Sequence, residues 1–191
     1  MNKEGILILE CQEHSDPGSE GQFLLHMFNL MEIDSQYIEV RTKRQLLALL
    51  DKPPFRFVHI TTHGSVSSPK TRKPKFAGLW AGDEDITKDD LETIRRKLTN
   101  RTVVTTACMS GAKDFAYDFA DATNCKHYIA PKKSPTFSTA IFFSHLLYHK
   151  YFRLSSTYKK KMGKIVKSYK DKYKNVAQFE IYNGPKRNLR S

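Results

Sequence analysis

Two apolar, β-branched runs that end on reactive side chains constrain this chain more than any other feature. FVHITTHGS covers residues 57–65 and ends on His63 and Gly64, and VVTTACMSG covers residues 103–111 and ends on Cys108. Short runs that are largely apolar on both faces read as central strands of a parallel sheet, covered by helices above and below. In such a sheet, residues that follow neighbouring strands meet at one edge, where ligands bind.

The rest of the chain fits that frame. GILILEC (5–11), QYIEV (36–40), HYIAP (127–131) and VAQFEIY (176–182) read as further strands, and FAGLWAG (76–82) as a short one. Helical patterns lie between them. Ser19 with Gln22 resembles a capping box ahead of Phe23, Leu24, Met27, Leu30 and Met31. TKRQLLALL (42–50) stops at the Pro53-Pro54 pair. ITKDDLETIRRKL (86–98) predicts a helix, with Thr87 and Asp90 at its start. Another helix is expected from about Lys113 to Ala122. Ser134 and Pro135 open a strongly apolar helix through about Phe152. Residues 155–174 predict a basic amphipathic helix with Tyr158, Met162, Ile165, Tyr169 and Tyr173 on one stripe. SVSSPKTRKPK (65–75) is an exposed loop or the tip of a long hairpin. The alternation predicts an α/β three-layer sandwich with a mostly parallel, about six-stranded sheet whose order begins 2-1-3-4. Residues 1–152 form the core of one domain, and the basic helix and last strand in 153–191 pack on it.

Cys108 and His63 suit nucleophilic chemistry. A thiol is mostly protonated at neutral pH, and an imidazole that takes its proton makes it a strong nucleophile. Gly64 allows close substrate approach, and the Gly64 and Cys108 amides can form an oxyanion hole. The competing reading is a buried structural cysteine beside a satisfied polar histidine. The glycine after His63 and the small residues after Cys108 favour the functional one. His59 is expected to be a core or supporting histidine, and Cys11 and Cys125 structural thiols.

Composition narrows the partners. The formal net charge is +12, with lysines and arginines crowding residues 70–75 and 150–190. Nucleic acid, an anionic surface or an acidic protein could meet the basic C-terminal helix; solvated loops and a solvated helix face explain the same charge. Three unevenly placed cysteines argue against a disulfide framework. There is no zinc spacing, signal peptide or membrane-spanning run, so a cytoplasmic protein is expected, not an integral membrane one. His145 and His149 lie four apart with no third ligand evident, so they read as surface or packing residues. No metal or organic cofactor is expected.

HITTHG and TTACMSG resemble the two active-site segments of the caspase-like cysteine peptidases: caspases, metacaspases, gingipains, separases and CHAT-domain proteases. The resemblance covers about residues 5–152 and is closest to compact bacterial CHAT or caspase-like types. His63 and Cys108 lie 45 residues apart, near the roughly 50 of caspases. TACMSG departs from the caspase QAC[RQG]G form, which puts aspartate specificity in doubt. The resemblance implies His63 as general acid/base, Cys108 as nucleophile, and the Gly64 and Cys108 amides as oxyanion hole. It implies a cysteine endopeptidase acting on a protein substrate in regulated proteolysis, such as bacterial defence or cell death, under a regulatory or sensor protein. In such families the pocket before the scissile bond lies near the end of strand 1. Glu10, Glu13 and Asp16 are therefore candidates to bind a basic substrate residue. The rival reading is a noncatalytic caspase-like module that uses its basic surface for nucleic acid or a protein partner.

Overall fold

The computed structural model describes residues 3–67, 75–94, 97–153, 162–176 and 178–184. The main sheet contains β1 (Lys3–Glu10), β2 (Ser35–Glu39), β3 (Phe55–Thr61), β7 (Thr102–Thr105), β8 (His127–Pro131) and β9 (Phe179–Asn183). Their order is β2-β1-β3-β7-β8-β9. All pairings are parallel except β8 with β9. Successive connections run outward in opposite directions from β1 and β3, so the sheet's switch point lies between those two strands.

Alternate residues of the central strands feed two cores. Val58, Ile60 and Val103 face α2 (Lys43–Asp51), α3 (Lys113–Thr123) and a 3-10 helix (Asp89–Ile94). Ile6, Ile8, Phe57 and Val104 face α1 (Glu20–Leu30), α4 (Phe137–Arg153) and α5 (Met162–Lys172). The second core is strongly aromatic: Phe57 packs edge-on to Tyr148 and Tyr151, and Phe143 stacks on Phe179. These layers make the α/β three-layer sandwich, and β9 places the C-terminal segment in the same sheet.

Local signals account for most helix starts. Ser19 Oγ accepts from the Gln22 amide and Thr42 Oγ1 from that of Gln45, so each caps its helix. Three boundaries differ from expectation. The last strand starts at Phe179, not residue 176, because Val176 closes a 3-10 turn by donating its amide to the Tyr173 carbonyl. The apolar helix α4 starts at Phe137, because Thr136 Oγ1, not Ser134, accepts the Thr139 amide. Pro135 is left outside it. Residues 89–94 form a 3-10 helix rather than the start of a longer α-helix. Leu91 and Ile94, three apart, are both buried there, the 3-10 repeat. The Asp90 carboxylate accepts from both the Thr87 amide and hydroxyl, so the acid holds the turn that Thr87 was expected to cap. Within residues 65–75, β4 (Gly64–Ser67) pairs antiparallel with β5 (Lys75–Trp80), as a hairpin requires; residues 68–74 lie outside the described residues. β6 (Asp85–Ile86), not expected from the sequence, completes a three-stranded second sheet. Tyr158 also lies outside the described residues, whereas Met162 and Ile165 are buried as their stripe predicts.

Candidate active site

A cleft with about 420 Å³ of open space lies beyond the carboxyl ends of β1, β3 and β7. Both His63 and Cys108 line it. His63 follows β3 by two residues and Cys108 follows β7 by three. The two loops touch closely: a Cβ built on Gly64 would lie 1.9 Å from the Cys108 carbonyl oxygen. No side chain fits there, so Gly64 is what lets the backbones of the two segments adjoin.

The turn carrying Cys108 is held on several sides. Met109 is left-handed at φ 58°, an uncommon conformation for a residue with a side chain. Its amide donates to the Lys133 carbonyl at 3.0 Å, and the Gly111 amide to that of Pro131 at 2.8 Å. Ser110 Oγ donates to the Ala107 carbonyl, and the Tyr128 and Tyr182 hydroxyls donate to the carbonyls of Ser110 and Gly111. A Cβ at Gly111 would meet the backbone of Ala130 and Pro131 at 2.9 Å. Strand β8 and its extension therefore fix the segment that presents the thiol.

His63 is also positioned. Its Nε2 lies 2.8 Å from Asp16 Oδ1, and the Asp16 side chain is only 7% exposed. The other oxygen, Oδ2, accepts the Glu13 amide at 2.8 Å. An acceptor facing Nε2 places the ring hydrogen there and leaves Nδ1 as the basic nitrogen. Trp80 and Phe137 flank the ring edge-on, each at 6.3 Å between centroids.

The floor of the cleft is a buried carboxylate absent from the sequence expectations. Glu20 accepts from Thr106 Oγ1 at 2.7 Å, Thr61 Oγ1 at 2.9 Å, His59 Nε2 at 3.2 Å and Ser144 Oγ at 3.4 Å. His59 Nδ1 meets the Tyr148 hydroxyl at 2.8 Å. Burial and then the Glu20 charge push the Tyr148 pKa up, so its hydroxyl stays protonated and donates to Nδ1. His59 Nε2 then carries the hydrogen given to Glu20. Thus His59 supports the site from the core.

The other expected acids separate. Glu10 lines the cleft, but its carboxylate also accepts the Gly21 amide at 2.9 Å, the Tyr37 hydroxyl at 2.8 Å and the Ser19 hydroxyl. It anchors the start of α1, where a negative charge is favourable. Asp16 lines the cleft and holds His63. Glu13 is not among the lining residues; it accepts from Ser15 and closes the turn with Asp16. The lining residues that the sequence reading did not single out are Glu20, Thr61, Thr62, Thr106, Phe137 and Ala140. Their one available signal was position, at strand ends or at the start of a helix.

The other thiols are buried. Burial pushes Cys11 and Cys125 each up to about 12, leaving almost no thiolate at neutral pH. Iodoacetamide should therefore give one adduct on the folded protein, at Cys108, and three in denaturant, read by intact and peptide mass spectrometry. Rapid native labelling of Cys125 would contradict that burial. His145 and His149 stack on the surface of α4, and no cluster of three or more metal-ligating side chains occurs among the described residues. No helix among the described residues is long and apolar enough to cross a membrane.

No protein-family model matches the chain, and no curated protein matches it. Solved structures do. Two crystal structures of the Saccharomyces cerevisiae separase-securin complex align with TM-scores of 0.58 and 0.63, at 15% and 13% identity. The alignments cover 95% and 97% of this chain and 12% of the matched chains, so this chain spans about an eighth of their length. With the mostly parallel six-stranded sheet between helical layers, this likeness establishes the fold of the chain as caspase-like, of the kind carried by separase.

Proposed function

We propose that this protein is a cysteine endopeptidase acting on a protein substrate, with Cys108 as nucleophile and His63 as general acid/base. The observation that carries the reading is the ordered imidazole: Asp16 takes Nε2, and the ring opens on the cleft shared with Cys108. The thiol proton passes to His63 Nδ1, and Sγ attacks the scissile carbonyl carbon, moving the carbonyl π electrons onto oxygen. The amides of Gly64 and Cys108 stabilise that oxyanion, a contribution of about 2.7–4 kcal/mol per donor in enzymes of this kind. Collapse expels the amine, which takes the proton from His63 and leaves a thioester. His63 then deprotonates a water that cleaves the thioester, releasing the acid and restoring the thiol.

The cleft lining favours a basic side chain before the scissile bond. Among the described residues it contains the carboxylates of Glu10, Asp16 and Glu20 and no lysine or arginine, in a chain of net charge +12. Glu13, outside that lining, contributes through the turn that holds Asp16. The separase structures contain securin, and a separate protein regulator is proposed here too, within regulated proteolysis.

The test is covalent labelling by peptide acyloxymethyl ketones with Arg, Lys or Asp at the residue before the warhead. Wild type should label at least about tenfold faster with Arg or Lys than with Asp, the scale of a charge-assisted hydrogen bond. Cys108→Ala should abolish labelling, and His63→Ala should slow peptide turnover by at least about a thousandfold. A folded wild type that labels with none of them, alone or with candidate partners from cell extract, would replace this reading with the noncatalytic module.

A further inference from the structure

We propose that the groove between α4 and α5 binds single-stranded nucleic acid. It lies on the α1/α4/α5 layer and shares no lining residue with the cleft, so binding there does not depend on peptidase activity. The groove has about 850 Å³ of open space, and Lys150, Arg153, Tyr169, Lys172 and Tyr173 line it. Lys150 Nζ sits 5.0 Å from the Tyr169 ring centre, and Lys172 Nζ sits 5.3 Å from that of Tyr173. Exposed Phe142 meets Tyr173 edge-on. Cations and aromatic rings thus share one concavity: Met162, Ile165 and Val166 are the buried contacts of α5, while Tyr169 and Tyr173 pack on the core with part of each ring and leave the rest exposed in the groove.

The charge is available. Nearby, Lys170 and Lys132 share the single carboxylate of Glu180. Among the described residues, Lys150 donates to the neutral Ser168 hydroxyl, and neither it nor Lys172 has an ion-pair partner. Asp171 is the one acid within α5. At the far end, Arg153 also borders a pocket containing Glu4, Glu32 and Asp34, which bounds the basic stretch. Phosphates suit the ammonium groups, and bases suit the rings: stacking on aromatic side chains flanked by cations is how single strands are held without sequence readout. An acidic polypeptide would use the lysines and leave the exposed part of the rings without a stacking partner. A duplex keeps its bases stacked inside and would do the same.

The experiment is fluorescence anisotropy with a labelled oligothymidylate of about 20 nucleotides, a duplex of equal length and polyglutamate. The full chain should bind the single strand most tightly, with affinity falling steeply between about 50 and 200 mM salt. Lys150→Gln with Lys172→Gln should weaken it by about tenfold or more and reduce the salt slope by about 1.4, the contribution of two phosphate contacts on a single strand. Tyr173→Leu, checked for folding by circular dichroism, should weaken single-strand binding about tenfold and leave duplex binding unchanged. The proposal is overturned if the folded protein does not bind at low salt. It is overturned equally if the lysine pair has no effect, which would move binding to the basic segments at 154–161 or 185–191. Duplex or polyglutamate bound as tightly as the single strand would reassign the groove to polyanions in general or to an acidic protein.

Discussion

Glu20→Ala should lower the stability of the fold by about 3 kcal/mol, the upper end of the cost of leaving a buried donor without its acceptor. Four donors converge on that carboxylate, from β3, from the residue after β7 and from α4. Alanine removes all four acceptor contacts at once. The hydroxyls of Thr61, Thr106 and Ser144 can rotate towards other acceptors, but His59 is wholly buried and its Nε2–H is left without one. Glu20→Gln keeps the shape and one acceptor oxygen, and its new amide can donate to a threonine hydroxyl that turns to accept. It should cost about 1–2 kcal/mol. Urea denaturation checks both: the alanine variant should shift the midpoint more than the glutamine variant, with the slope unchanged. Equal, small shifts would mean that water replaces the carboxylate and that the network is not what joins the strand ends to α1 and α4.

Glu20 also marks where sequence reading stops. The two halves of the cleft rim were legible because local pattern carries them. FVHITT and VVTTA are apolar enough to be central strands, and residues just past the end of a central parallel strand lie at the sheet's ligand edge. Ser19 announced its helix through a side-chain acceptor three residues from the amide it caps. Glu20 has no such local mark. An acid in the first turn of a helix ordinarily faces water, and only the approach of β3, β7 and α4 turns it inward. Asp16 is similar: HSDPGS reads as a turn, and nothing in it points to a histidine 47 positions later. The 3-10 segment failed for a different reason. Leu91, Ile94 and Leu98 satisfy an α-helical stripe, yet the first two also satisfy a repeat of three. The choice was made by Asp90, which folds back on Thr87 and also reaches Lys43.

On the proposed chemistry, Asp16→Asn should reduce peptide turnover by about 10²–10⁴-fold while leaving the fold intact, the scale seen when a histidine loses its orienting carboxylate. The reason is a count of acceptors. Both Asp16 oxygens accept, one from His63 Nε2–H and the other from the Glu13 amide, each at 2.8 Å. Asparagine offers one acceptor and one donor to the same two neighbours. If its oxygen stays with the Glu13 amide, its NH2 faces Nε2 and forces the hydrogen onto Nδ1, the nitrogen that must take the thiol proton. If its oxygen turns to Nε2, the NH2 opposes the Glu13 N–H and the turn holding residue 16 loosens. Either arrangement disables the base. The alkylation rate of Cys108 separates this from simple loss of structure. Asp16→Asn should slow iodoacetamide modification of Cys108 while Cys11 and Cys125 stay unmodified. Loss of structure would instead expose Cys11 and Cys125 to the same reagent. Wild-type turnover in Asp16→Asn would show that His63 orients without the carboxylate, and would return Asp16 to the role of a substrate-binding acid.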